Sequence, residues 1–388
     1  MRNVKCKSIL GLPADKSPVR ETLRPDLGHS PSRTKKLQTT MRDPLLLILA
    51  GLLLMAGCRP KAEDGIIRLS PKSHVILLDS LEAADAIIRD AEEGYFEKVQ
   101  PLDMAIQMGQ PLQNGRPGEG LQEDYRAFLQ SDVAGFNPEE QALLREVFHQ
   151  AFRLCRRLNP DIFPDTVRLI KTRARHYGPG VYYTREDCII IPENELMPDN
   201  ADVLTEVMLH EVFHIYSRYH PQQREALYRI IDFERLPLPL ALPDSLQQRL
   251  LLNPDGIDFQ YGITFDDPDG QPVQAVGLIR SAFPDYHHSR PRYFEYIDFQ
   301  LYPVVRRDSA FEVLVRNGSE SPLPPVDSLP GFFRLIGDNT GYIIHPDEIL
   351  ADNFVLLVMM DTGEGAYGSG QYSVRGREIL ERIGNILR

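Results

Sequence analysis

The sequence predicts an α+β fold, in which helices surround a small antiparallel sheet and a β-rich insertion interrupts the helical part. Three observations predict it. Apolar residues recur at helical spacing in "NPEEQALLREVFHQAFRLCRRLNP", where Leu143, Leu144, Val147, Phe148, Ala151 and Leu154 line one face. The period changes in "DTVRLIKTRARHYGPGVYYTREDCIIIP", where β-branched and aromatic residues flank turn residues, implying two or three antiparallel strands that end at Pro192. From about Leu236 to Thr340 the chain is rich in Pro, Gly and Asp. Short strand candidates lie there at Gln260–Thr264, Val273–Ile279 and Tyr293–Val305, with "DDPDGQ" as a hairpin turn.

In chain order, a helix is expected from about Leu81 to Ala91, with Leu81, Ala84, Ile87 and Ile88 on one face, followed by a Gly/Pro/Gln loop from Gly109 to Gly120. Pro138 and two acids then open the helix quoted above, and Arg156 and Arg157 close it, each sign matching its end of the helix dipole. After the strands, "PDNADVLTEVMLHEVFHIYSRY" is a helix, and Pro221 opens another through Phe233. Beyond the insertion, "HPDEILADNFVLLVMM" is a helix, "DTGEGAYGSG" a loop, and "SVRGREILERIGNILR" a terminal helix.

Near the amino end, "MRDPLLLILAGLLLMAGC" has one arginine, an apolar run of about a dozen residues and small residues before Cys58. The run is shorter than the roughly 20 residues that span a bilayer, so it reads as a cleaved signal segment, residues 41–57. Met55-Ala56-Gly57-Cys58 resembles the lipobox of bacterial lipoproteins, which implies lipidation at Cys58 and a membrane contact made by that lipid alone. Residues 1–40 carry nine Lys/Arg against three Asp/Glu and no apolar period, and read as a gene-model extension or disordered tail. Residues 58–73 read as a tether, with the folded domain at 74–388. The absence of aspartate directly after Cys58 resembles sorting to the outer membrane rather than inner-membrane retention.

Setting aside the net +6 of residues 1–40, the chain's −12 becomes −18 for the remainder, a balance that excludes a nucleic-acid footprint. With Cys6 and Cys58 outside the domain, Cys155 and Cys188 are read as two buried free thiols, without metal-site spacing.

The chemistry-bearing stretch is "LTEVMLHEVFHIYSRYH". His210 and His214, four apart on a helix, point the same way, and Glu211 is offset from His210 by about 100° and lies beside whatever they hold. That pattern suits a zinc ion with a carboxylate placed to take a proton from water. Val203, Leu204, Val207, Met208, Val212 and Ile215 are apolar and are expected to bury the helix. A third ligand is needed, and two stand out. His220 lies ten residues after His210. Glu348, with Asp352 one turn later on the same helix face, lies far downstream, so that one carboxylate can bind metal while the other accepts a histidine N–H.

HEVFH after a strand pair resembles the zincin metallopeptidases. The metzincin branch continues H-E-x-x-H-x-x-G-x-x-H, which His210, Glu211, His214 and His220 match, but Ser217 stands where that branch has glycine. Glu348-Ile349-Leu350-Ala351-Asp352 resembles the E-x-x-A-D segment of gluzincins, as in CAAX-processing proteases and minigluzincins. This resemblance implies zinc held by His210, His214 and Glu348, general-base catalysis by Glu211, Asp352 orienting His210, and a peptide or protein substrate. The 134-residue separation of His214 and Glu348 exceeds the spacing of most gluzincins, so the resemblance covers two short motifs and their context. Glu348 is favoured over His220, whose alternative role is to cap the helix-helix corner before Pro221. Tyr342 and His345 are candidate oxyanion donors. The Val181–Ile191 hairpin is the candidate edge for binding an extended peptide, and His287-His288 reads as a solvated loop.

Overall fold

The computed structural model describes residues 65–112, 118–360 and 372–388. The expected signal segment, Cys58, the amino-terminal tail and the "DTGEGAYGSG" loop lie outside the described residues. Strands β1 (Ile66–Arg68) and β2 (His74–Leu77) pair antiparallel, so the fold already includes residues 66–68, which were expected as tether. Helix α1 (Ser80–Ala86) starts at a capping box between Asp79 and Glu82. It ends earlier than its apolar spacing predicts, because Arg185 and Arg126 donate to the carbonyls of Ile87 and Ile88.

Helices α2 (Pro101–Met108) and α3 (Gly118–Asp132) were not read from the sequence. Leu102 to Gln107 are all buried, so α2 shows no alternation of faces, while the fully buried apolar side chains of α3, among the described residues, are Tyr125 and Leu129, one turn apart. Strand β3 (Val133–Ala134) leads to α4 (Pro138–Leu158), whose predicted apolar face is buried throughout and whose Asn137 and Glu140 form a capping box.

Next come β4 (Thr166–Thr172), β5 (Tyr183–Arg185) and β6 (Cys188–Pro192), in a six-stranded sheet of order β1-β2-β4-β6-β5 with β3 against β4. The sheet is mixed, not antiparallel as expected. β5 and β6 form the predicted antiparallel hairpin, but β6 slots between β5 and β4, making β2, β4 and β6 a parallel set. The reason is that both faces are covered. Leu169, Ile189 and Ile191 join the core under α4, while Ile170, Tyr183 and Ile190 join a second core on the other side, a setting that suits parallel strands with unbroken apolar runs.

Helix α5 (Ala201–Tyr219) carries the His-Glu motif and is buried along nearly its whole length, although Val203 remains 45% exposed. Helix α6 (Pro221–Tyr228) follows at a sharp corner. A second six-stranded sheet consists of β7 (Phe233–Arg235), just before the expected insertion and where the helix from Pro221 was expected to end, and, within the insertion, β8 (Leu240–Ala241), β9 (Tyr261–Asp266), β10 (Pro272–Ser281), β11 (Ile297–Arg306) and β12 (Phe311–Val313), ordered β7-β9-β10-β11-β12-β8. β9 and β10 are joined by the predicted turn, with Asp266 paired to Pro272. Helices α7 (Pro330–Ile336), α8 (Pro346–Met360) and α9 (Val374–Leu387) close the chain. Phe213 of α5 and Phe354 of α8 pack ring to ring at 5.3 Å, locking the two helices that carry the motif residues. Among the described residues no helix is long and apolar enough to cross a membrane, and Cys155 and Cys188 are buried free thiols.

One buried polar contact ties the helical layer to the second sheet. Asp103 of α2 accepts from the Leu252 amide at 2.9 Å, Gln107 at 2.9 Å and the Tyr293 hydroxyl at 3.1 Å. Burial outweighs these bonds and pushes its carboxyl up to about 6 from 3.8. At this group the folded chain therefore binds more protons than the unfolded chain between these values, so Asp103's contribution to stability falls as pH rises through that window. Urea unfolding of wild type and Asp103→Asn from about pH 4 to pH 7 should differ in pH slope by Asp103's part, whatever the substitution does to absolute stability. An unchanged slope in the variant would contradict the assignment.

Candidate metal centre

Helical geometry puts His210 and His214 on one face of α5, and packing against α8 decides what they meet. α8 begins with Pro346 at its first position, then Asp347 and Glu348 in its first turn, where the positive end of the helix favours acids. That dipole contributes about 0.3–1 kcal/mol, too little to hold a fully buried carboxylate ionised against a desolvation cost of several kcal/mol. The histidines supply the rest. Glu348 Oε2 lies 3.0 Å from His210 Nε2 and 3.3 Å from His214 Nε2, and Glu348 Oε1 accepts from Asn253 at 2.7 Å. Burial acts to raise the Glu348 carboxyl, but His214 and His210 more than offset it and hold the group well below the usual carboxylate range.

The far side of each imidazole is also backed by an acid. His210 Nδ1 is 3.0 Å from Asp352, as the gluzincin resemblance implies, and Asp352 in turn accepts from the Thr340 hydroxyl. His214 Nδ1 is 2.7 Å from Asp347, which also accepts from Ser217 and, at 2.9 Å, from Tyr228. Such carboxylate backing fixes the ring orientation and leaves each Nε2 directed at the shared Glu348 oxygen. Burial opposes charge on His214, yet Glu348, Asp255 and Asp347 together raise its pKa well above 6.5. Two imidazoles converging on one carboxylate oxygen need positive charge between them, from a proton or a metal cation.

Glu211 sits beside this group, fully buried, with neither oxygen hydrogen-bonded. Burial, then the charge of Asp255, pushes its carboxyl up to about 8. Two sets of donor atoms each fall within 4.8 Å of one another, His210/His214/Glu348 and Glu211/His214/Asp255. The chemistry of these donors, nitrogen and carboxylate oxygen with backed imidazoles and an orphaned buried acid, fits a divalent metal such as zinc.

The structure thus brings His210, Glu211, His214, Glu348 and Asp352 together. It does not bring His220, the alternative third ligand: its Nδ1 is 2.8 Å from the Tyr216 carbonyl and its ring stacks on Tyr216 at 4.2 Å. Its own amide bonds to Ser217 and its carbonyl accepts from Arg224, so His220 is the corner between α5 and α6. Ser217, where a glycine would mark the metzincin branch, is instead a donor to Asp347. His345 accepts from the Asp347 amide at 3.1 Å, capping the start of α8, and Tyr342 lies with its ring 6.2 Å from that of His210. His287 bonds to Ser289 in an exposed loop. The expected peptide-binding edge, β5, is not free: Tyr183 to Arg185 are buried and the Thr184 amide donates to Asp255.

Asp347, Asn253 and Asp255 were missed. For Asp347 a signal existed, since two ligating histidines need two acceptors at Nδ1 and Asp347 is the second acid of the same helical turn. For Asn253 and Asp255, in "LLNPDGIDF", sequence carries none. No protein-family model, curated protein or solved structure matches this chain.

Asp347→Asn should weaken zinc binding about 10–100-fold, the range typical of a lost backing carboxylate. Competition against a chromophoric chelator measures this, and an Asp347→Asn chain with wild-type affinity would show that Asp347 only packs.

Proposed function

We propose that this protein is a zinc metallopeptidase of gluzincin type, held to the cell envelope by a lipid on Cys58, with the outer membrane favoured, and acting on a peptide or protein substrate. The observation that carries the reading is Glu211, buried without a hydrogen-bond partner beside two imidazoles and a carboxylate that converge on one point. An isolated buried carboxyl costs several kcal/mol, and a fold retains it where the group has chemical work.

His210, His214 and Glu348 are the ligands in this reading, and Asp352 and Asp347 hold the two rings. A zinc ion bound there supplies Lewis acidity that polarises the scissile carbonyl and makes water a nucleophile near neutral pH. Glu211 takes the proton of the attacking water and delivers it to the departing amine, a task suited to a carboxyl raised toward neutrality. Tyr342, whose ring lies 6.2 Å from that of His210, is the preferred of the two oxyanion-donor candidates, because His345 is committed to the start of α8.

A second reading, a lipoprotein in which zinc is structural, is favoured by one observation: His210, Glu211 and Glu348 are 0% exposed and His214 1%. Elemental analysis and peptide-library cleavage separate the two. Wild type should bind one zinc, Glu348→Ala should lose it, His220→Ala should keep it, and Glu211→Gln should keep zinc while losing cleavage by about two orders of magnitude or more. Cleavage retained in Glu211→Gln sinks the catalytic assignment, and zinc without any cleavage supports the structural reading.

A further inference from the structure

The long chain between His214 and Glu348 enters the centre at one place. Residues 251–257 are buried, and from this segment Asn253 donates to Glu348 Oε1. Two residues on, Asp255 Oδ1 accepts from both the amide and the hydroxyl of Thr184 at 2.6 Å each, covering the edge of β5 where an extended peptide would pair. Asp255 is 5% exposed and its Oδ2 has no hydrogen-bond partner, while one of its oxygens lies within 4.8 Å of both a Glu211 oxygen and a His214 nitrogen. Gly256 then passes so close to His345 that a Cβ would fall 2.2 Å from Nδ1, which only glycine avoids.

We propose that Asp255 is a fourth protein ligand of the metal centre, and that residues 253–256 form a built-in plug that keeps the centre closed. The inference rests on the metal reading above. The two donor sets share His214, and a metal at that shared imidazole that took Asp255 beside His210 and Glu348 would have four protein ligands and no open position, whereas a catalytic zinc keeps one. The plug also occupies the hydrogen-bonding position of substrate: the Thr184 N–H that a strand-like peptide needs is the one Asp255 holds. A peptide pairing with β5 therefore displaces Asp255, so that substrate binding and opening of the metal site are one event. The anchors against withdrawal are local, namely Leu252 to Asp103, Asn253 to Glu348 and Asp255 to Thr184.

The test uses the full chain as wild type and Asp255→Asn, a change that keeps an oxygen for Thr184 but removes the anionic ligand. Zinc affinity is measured by chelator competition, and the cobalt-substituted forms are titrated with acetohydroxamate while the visible spectrum is followed. Zinc should bind Asp255→Asn more weakly than wild type by at least the roughly 10–100-fold that loss of a backing carboxylate costs, and acetohydroxamate should change the cobalt spectrum of the variant but not of the wild type. Equal zinc affinity with equal acetohydroxamate response overturns the proposal. If Asp255→Asn does not fold, Thr184→Val, which frees one hold on Asp255, should respond to acetohydroxamate, and a wild-type response from it overturns the plug. A wild type that takes up no zinc instead refutes the metal reading itself, and Asp255's ligand role with it.

Discussion

The confrontation between α5 and the first turn of α8 is the constraint on which the rest depends. Glu348 and Asp347 are buried acids, His210 and His214 buried bases, and each is tolerable only because the others are there. Removing water from one carboxylate costs several kcal/mol, more than the helix dipole or any single neutral hydrogen bond returns. The fold therefore cannot separate α5 from α8 without exposing or orphaning charge. Around this pair the core is built: Phe213 against Phe354 on one side, and the strands of the first sheet below α4 and α5 on the other.

The same constraint explains how the second sheet is attached. An excess of acid at the centre, with Glu211, Asp255, Asp347, Glu348 and Asp352 facing His210, His214 and the nearby Arg218, asks for a cation and for donors to each spare oxygen. Those donors come from α5, from the end of α6 and from the segment beyond it. Asn253 serves Glu348, Tyr228 serves Asp347, and Arg218 links the Thr184 hydroxyl to Glu93. The segment that seals the site is thus also a support for its electrostatics, which is why a sequence between two distant motifs folds against both of them.

Much of the helical layer was readable. The opening of α4 at Pro138 with two acids, its buried face, and the start of α8 at Pro346 all follow from local rules, since helix-end chemistry and period act over a few residues. Helices α2 and α3 were not readable because one is buried along nearly its whole length and the other fully buries just two apolar side chains among its described residues. The parallel pairing of β4 with β6 escaped for a related reason: an Ile-Ile-Ile run shows burial on both faces but not which strand lies beside it. At the site, the helical spacing of His210, Glu211 and His214 was legible, and Glu348 with Asp352 was legible through its one-turn offset and its likeness to a known motif.

By itself the sequence determined the contents of two helices: which donors share a face, which acids begin α8, and which residues between them are apolar enough to be buried. These are local properties, set by a helical repeat of 3.6 residues and by the chemistry of helix ends. Tertiary structure alone decided the pairing. It set Glu348, and not His220, beside the two imidazoles by bringing α8 onto α5 while the corner at Pro221 turned His220 back to Tyr216, an arrangement that depends on packing between residues 134 apart in the chain. It also placed Asp347 behind His214 and Asp255 on the edge of β5, because contacts between residues so far apart in sequence follow from the enclosed volume of the fold and leave no periodic trace along the chain.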